Sequence, residues 1–294
     1  MSHATTNRML VEDYLDTVRL RGRSPKTVGG YQYTLARYLD FLADTAATEA
    51  TPRVVRRYLS QVASQHAATV VARTYGDLRA FYRWMIREGE ITVSPLASVD
   101  APSAPLPPVG TIDAATLRAL ISVRGRGPFL DRRNRLLVLL LTDTGLRAGE
   151  LCGICVRDIN LTASTVTIRG KSGYRTIGFG SRTAIELRRY LRVRAGHRFA
   201  DRSELFLTSR GPLGVRGLGE TITSLCKRAG VDHVHPHKFR HSWATAQMQT
   251  EAGELTVMVA GGWASTKHMQ RYVREATARR AAALNQQHSL VDGL

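Results

Sequence analysis

Apolar positions recur at helical spacing through most of the first hundred residues. Val28, Tyr31, Leu35, Tyr38, Leu39 and Leu42 follow a start signal at Ser24-Pro25-Lys26-Thr27. Leu78, Phe81, Tyr82, Trp84 and Met85 form a second apolar face. Segments 7–45 and 52–90 are therefore predicted to be helical, with Thr51-Pro52 opening the second and the aromatics serving as core. Residues 101–110, APSAPLPPVG, hold four prolines. Neither a helix interior nor a central strand accommodates them, so an extended linker is expected. After it, Thr111-Ile112-Asp113 caps a helix over 114–122. Asp131–Thr144 is apolar enough to be a buried helix, and Gly145 suits a left-handed stop. Arg147 follows that stop, and Glu150-Leu151 continue into a new helix. At 164–179 the period drops to two. Val166 and Ile168 alternate with Thr167 and Arg169, and Ile177 and Phe179 repeat the pattern, so a β-hairpin with its tip at Gly170-Lys171-Ser172-Gly173 is predicted. Helices are expected again at 181–194 (Ser181 as cap), 221–229, 237–248, 254–260 and 267–284.

The fold class expected is mainly α in two domains, the second α+β with one small antiparallel sheet. The boundaries are 1–100 for the helical domain, 101–110 for the linker, 111–280 for the second domain and 281–294 for a tail. Charge divides at the same place. Of 42 Lys and Arg and 24 Asp and Glu, residues 1–105 carry 13 and 10 (net +3) and residues 106–294 carry 29 and 14 (net +15). A field of that sign implies a polyanion, with nucleic acid first. A membrane partner fits poorly, because the longest apolar run, Leu136–Leu141, is too short to span a bilayer. The N-terminus lacks the layout of a secretory signal, and three cysteines suit a reducing cytoplasm. Cys152 and Cys155 form a CxxC. With Cys226 as the only other cysteine a four-thiolate zinc site cannot form, and the pair reads as small residues packed in a helix.

The candidate chemistry lies in Arg147, Lys171, His237, Arg240, Trp263 and Tyr272. Two guanidiniums grip phosphate oxygens through paired donors. A phenol attacks phosphorus and forms a covalent ester. A general acid cannot be Arg, and Lys171 is the only lysine between Lys26 and Lys227 in a chain with 37 Arg and 5 Lys. No acidic cluster suited to catalytic Mg²⁺ stands beside these residues, and no cofactor or metal is expected. His233, His235 and His241 cluster with His237 and invite a metal reading, which metal-free chemistry at His237 displaces. Composition and periodicity give no way to prefer Tyr272 over Tyr174 or Tyr190.

TDTGLRAGEL at 142–151, HPHKFRHSWAT at 235–245 and GGWASTKHMQRY at 261–272, with the lysine after Gly170, together resemble the tyrosine recombinases, or phage integrase family. The resemblance runs from about residue 8 to 280, and the first domain looks like the family's helical core-binding domain. It implies that Tyr272 is the nucleophile, attacking DNA to leave a 3′-phosphotyrosine and a free 5′-hydroxyl without metal or ATP. Arg147 and Arg240 would neutralise the phosphate, His237 would accept the tyrosine's proton, Lys171 would protonate the leaving oxygen, and Glu150 would orient a neighbouring site residue. Most members have His where this chain has Trp263. An indole donates one hydrogen bond and neither accepts nor titrates, so a donor or positioning role is left to it. The resemblance further implies double-stranded DNA with core-type sites, a homo-tetramer on that DNA, no arm-binding domain, a cytoplasmic and nucleoid-associated location, and a tail after 284 that docks on a neighbour or frays. An accessory directionality protein is left open. The rival readings are a type IB topoisomerase, which would relax supercoils as a monomer, and a DNA-binding protein without catalysis.

Overall fold

A computed structural model of the chain describes residues 2–103, 110–125, 127–170, 173–250, 252–263, 265, 269–288 and 291; within 270–288, side chains are described at 272, 273, 277, 278, 281, 282 and 285–288. The chain separates into two compact units, Met1–Leu106 and Pro107–Leu294.

The first unit is helical: α1 (His3–Leu20), α2 (Pro25–Leu42), α3 (Pro52–Gln65) and α4 (Ala68–Arg87). Ser2, Ser24 and Thr51 cap three of them, each hydroxyl accepting from the amide three residues on. The two predicted helical segments are thus each a pair. The first breaks where Gly22 takes positive φ and Pro25 forces the residue before it to be extended. The second breaks at His66-Ala67, where both residues are extended and no side chain caps the next helix; that break leaves little sequence signal. Leu15, Leu35, Tyr38, Leu78, Phe81, Tyr82 and Met85 are sealed in the core. Two phenols inside it satisfy each other: Tyr82 donates to the Ala47 carbonyl at 3.2 Å, and the Tyr38 and Tyr82 hydroxyls lie 2.8 Å apart.

The second unit contains α5 (Ala114–Ser122), α6 (Pro128–Thr144), α7 (Ala148–Cys152), β1 (Ile159–Asn160), β2 (Thr165–Gly170), β3 (Gly173–Gly178), α8 (Ser181–Ala195), β4 (Leu207–Thr208), β5 (Gly211–Pro212), α9 (Val215–Ala229), α10 (Pro236–Met248), α11 (Glu254–Gly261) and α12 (Gln270–Gln287). α6 runs through the core, buried at every position from Leu136 to Leu141. It packs against α5, α8 and α10. The sheet is antiparallel in the order β1-β2-β3, with Val166 opposite Ile177 and Ile168 opposite Arg175. β4 and β5 form a separate two-stranded ladder.

Several boundaries depart from the expected ones. α8 is capped by Gly180, not Ser181, and the Gly180 amide donates to Asp143 Oδ2 at 3.0 Å. α9 starts at Val215 rather than 221, because Gly217 and Gly219 weaken the helical signal without breaking the helix. Cys152 ends α7 and Cys155 lies beyond it, so the CxxC is not contained in one helix. Among the described residues no helix is long and apolar enough to cross a membrane.

Gly145 ends α6 at φ 58°. A Cβ placed there would sit 2.5 Å from the Trp243 ring. Gly145→Ala combines left-handed strain with a clash in the core, each costing about 1–3 kcal/mol. The urea midpoint of the variant is expected to fall by the equivalent of about 3 kcal/mol, with little change in slope.

Candidate functional site

α10 carries the densest part of the site. Pro236 occupies its first turn and His235 caps it, the ring Nδ1 accepting from the Lys238 amide at 3.2 Å. Spacings of three and four then put His237, Arg240 and His241 on adjoining positions of one face. The His237 and His241 rings meet edge to face at 4.1 Å between centroids. His233 is occupied elsewhere, its Nε2 3.0 Å from Thr223 Oγ1. Among the described residues no three His, Cys, Asp or Glu side chains gather as a metal-ligand set.

The turn after α6 brings in the next arginine. Arg147 is the N-cap of α7, and its amide donates to Glu150 Oε2 at 2.9 Å. Its Nη1 reaches Glu150 Oε1 at 2.8 Å. Arg175 on β3 grips the same carboxylate from the other side, Nη1 to Oε1 at 3.0 Å and Nη2 to Oε2 at 2.8 Å. One carboxylate therefore joins two guanidiniums. Burial pushes the Glu150 carboxyl up. The hydrogen bonds from Arg175 and from the Arg147 amide outweigh that and hold it at about 2.

All three arginines also end on one short stretch of backbone. Arg175 Nε donates to the Ala260 carbonyl at 2.9 Å, Arg240 Nη2 to Gly261 at 2.6 Å, and Arg147 Nη2 to Gly262 at 2.8 Å. These are the last carbonyls of α11, which lack partners within the helix and carry the negative end of its dipole. Arg240 adds a 2.9 Å bond to the Gly145 carbonyl, and its Cζ lies 4.0 Å from the centroid of the Trp263 ring. At 2% exposure it is the most enclosed of these cations. Burial, then the neighbouring Arg147 charge, lower its pKa to about 10, so it stays protonated at neutral pH. The tight approach depends on glycine. A Cβ on Gly261 would collide with the Trp263 ring, and one on Gly262, at φ 64°, would lie 2.7 Å from Arg175 Nη1.

Tyr272 stands near the start of α12, 3% exposed, within an apolar cluster of Trp243, Ala244, Met248, Val257 and Met269. Its ring is 5.6 Å from that of Trp263, which in turn stacks on Trp243 at 6.2 Å. The Tyr272 hydroxyl is hydrogen-bonded to Nδ1 of His241.

The fold thus brings Arg147, Glu150, Arg240, Trp263 and Tyr272 into one cluster, and His237 enters it beside His241. Lys171 lies outside the described residues. Gly170, the last residue of β2, is against the cluster, since a Cβ there would be 3.8 Å from Glu150 Oε1. One participant, Arg175, carries no sequence motif, and another, His241, reads in the sequence only as a candidate metal ligand. Arg175 has the same strand parity as the buried Ile177, an inward-facing charge that signals a partner. His241 lies four residues after His237 on the same helix face.

Profile comparisons match residues 112–279 to the phage integrase family and residues 11–89 to the phage integrase N-terminal SAM-like domain. The chain is 30% identical over 240 residues to the tyrosine recombinase XerC of Azotobacter vinelandii, covering 80% of this chain and 79% of that protein. It is 29% identical to XerC of Pelobacter propionicus, over 91% of each chain. Its fold is similar to that of the Tn1549 transposon integrase in complex with transposon right end DNA (TM-score 0.77, 17% identity, 98% of this chain and 100% of that one). It is similar also to that of XerH bound to a palindromic difH substrate (TM-score 0.75, 18% identity, 90% and 81%).

Glu150 carries a pH signature. A carboxylate whose folded pKa is about 2, against an ordinary value of 4.5, contributes stability in full above 4.5. That contribution drains away as pH falls toward 2. In denaturant titrations between pH 5 and 2, Glu150→Gln is expected to be less stable than the parent at pH 5, with the gap closing toward pH 2.

Proposed function

The chain belongs to the phage integrase family, and we propose that it is a site-specific tyrosine recombinase that cuts and rejoins double-stranded DNA. The observation that carries this reading is a phenol hydrogen-bonded to an imidazole beside a nest of three guanidiniums. Tyr272 Oη attacks the scissile phosphorus. A phosphotyrosine forms on the 3′ side and the 5′-oxygen departs. Arg147 and Arg240 take the charge that builds on the non-bridging oxygens. Their donors rest on carbonyls in this structure, and phosphate oxygens are stronger acceptors of the same kind. Trp263 positions the Arg240 guanidinium against its ring. The proton of Tyr272 leaves into the histidine pair of α10, which includes His237. Lys171 protonates the leaving oxygen. Glu150 sets the orientation of Arg147, with Arg175 as the counterweight. The ester retains the energy of the broken bond, so a second 5′-hydroxyl reverses the step without ATP or a metal.

Recombination joins two duplexes through four such reactions, so the working form is a homo-tetramer on DNA. The N-terminal helical unit contributes DNA contacts of its own at the core site. An accessory protein that sets direction is compatible with this scheme, as are a cytoplasmic location and residence on the nucleoid.

A suicide substrate that traps the covalent complex tests the reading directly. The parent chain is expected to form an adduct and Tyr272→Phe none; an adduct from the phenylalanine variant removes Tyr272 from the nucleophile's place. With sulfur replacing the 5′-bridging oxygen the leaving group needs no acid. Lys171→Ala should then regain cleavage, whereas on the oxygen substrate it loses about 10²–10⁴-fold.

A further inference from the structure

We propose that His241 is a catalytic residue: its Nδ1 takes the proton from Tyr272 Oη as the phenol attacks. This assignment rests on the reading of Tyr272 as nucleophile, and it goes beyond the five polar positions and the tyrosine that define the family resemblance.

The geometry singles out His241. Its ring is the one that meets the tyrosine, centroid to centroid at 5.4 Å, with Nδ1 bonded to the hydroxyl. It is 7% exposed, whereas His237 lies on the open side of the pair. A phenol ordinarily loses its proton near pH 10 and an imidazolium near 6.5. At neutral pH the O–H is therefore the donor and Nδ1 the acceptor, which leaves the imidazole proton on Nε2.

The step balances with groups already present. The Tyr272 O–H bond breaks and its proton goes to His241 Nδ1. The oxygen's electron pair forms the O–P bond, and the P–O5′ bond breaks with its pair on the departing oxygen, which Lys171 protonates. The ring nearest the new imidazolium is that of His237, 4.1 Å away. Arg240, the preceding residue, itself feels Arg147, Glu150, Arg175 and Tyr272. Cations dominate that surrounding, so an imidazolium there is unfavourable until negative charge gathers on phosphorus. Deprotonation of the tyrosine is thereby tied to arrival of the phosphate.

The test uses single-turnover cleavage on the 5′-bridging phosphorothioate duplex, where no leaving-group acid is needed and the pH profile reports the nucleophile alone. His241→Gln is expected to be slower by about 10²–10⁴-fold at pH 7, with the deficit shrinking roughly tenfold per pH unit as pH rises toward that of the phenol. DNA affinity should be unchanged. A deficit that stays constant from pH 6 to 9, or no deficit, overturns the proposal, the constant one marking His241 as packing only. Should the variant fail to fold, the ¹⁵N resonances of the parent's imidazoles decide: Nδ1 of His241 must be the bare nitrogen in the neutral ring, and a proton found there overturns the proposal. Failure of the parent itself to form an adduct, or an adduct from Tyr272→Phe, instead strikes the nucleophile assignment and is read in the same gel.

Discussion

The catalytic unit depends on how three guanidiniums, one of them fully buried, are kept together. Arg147 and Arg175 share one carboxylate, Glu150, which is also the one negative charge acting on Arg240 beside them. Three positive charges against one negative leave an excess of two. Burying an ion without compensation costs several kcal/mol. The fold answers with backbone: the last carbonyls of α11 and the carbonyl of Gly145 accept what Glu150 does not. A helix end is equivalent to roughly half a negative charge, so the compensation is partial. An incompletely compensated cluster of guanidiniums is what a phosphodiester is suited to meet.

That device constrains everything downstream of α10. The α11 terminus must reach the arginines without side chains in the way, which demands Gly261 and Gly262. The turn that follows throws Trp263 under Arg240 and beside Tyr272. The small apolar cluster around Trp243, Met248, Val257 and Met269 then holds Tyr272, apart from the main core that surrounds α6. The arginine contacts and the placement of Trp263 beside Tyr272 therefore share one turn of two glycines.

The sequence announced what has a periodicity or a residue of restricted geometry behind it. The apolar run of α6, the glycine stop at 145, the Pro-led starts of α2, α3 and α10 and the alternation of β2 and β3 are all of this kind. It was silent where a glycine does a cap's work, as at Gly180 and Gly214, because a residue without a side chain leaves no capping signal. Arg175 was lost because strand parity was followed only through apolar positions. His241 was grouped with neighbouring histidines by adjacency, although helix geometry pairs it with His237 alone. The choice among tyrosines had no sequence-level solution apart from family likeness. The structure separates them physically. Tyr174 is exposed on the hairpin. Tyr190 is committed to the core, donating to the Leu205 carbonyl and pushed up to about 12 by burial. Tyr272 has its hydroxyl against an imidazole.

The preference for arginine also finds its reason at this site. Burial brings Arg240 down to about 10, which leaves it charged. The same displacement starts lower for lysine, and buried lysines reach values near 5–6, so a lysine at 240 would surrender its charge to the environment meant to use it. A permanent cation in a closed site therefore has to be a guanidinium. A group that must give up or accept a proton during the reaction has to be something else. Tyr272 and His241, hydrogen-bonded to each other beside the guanidiniums, are groups of that kind.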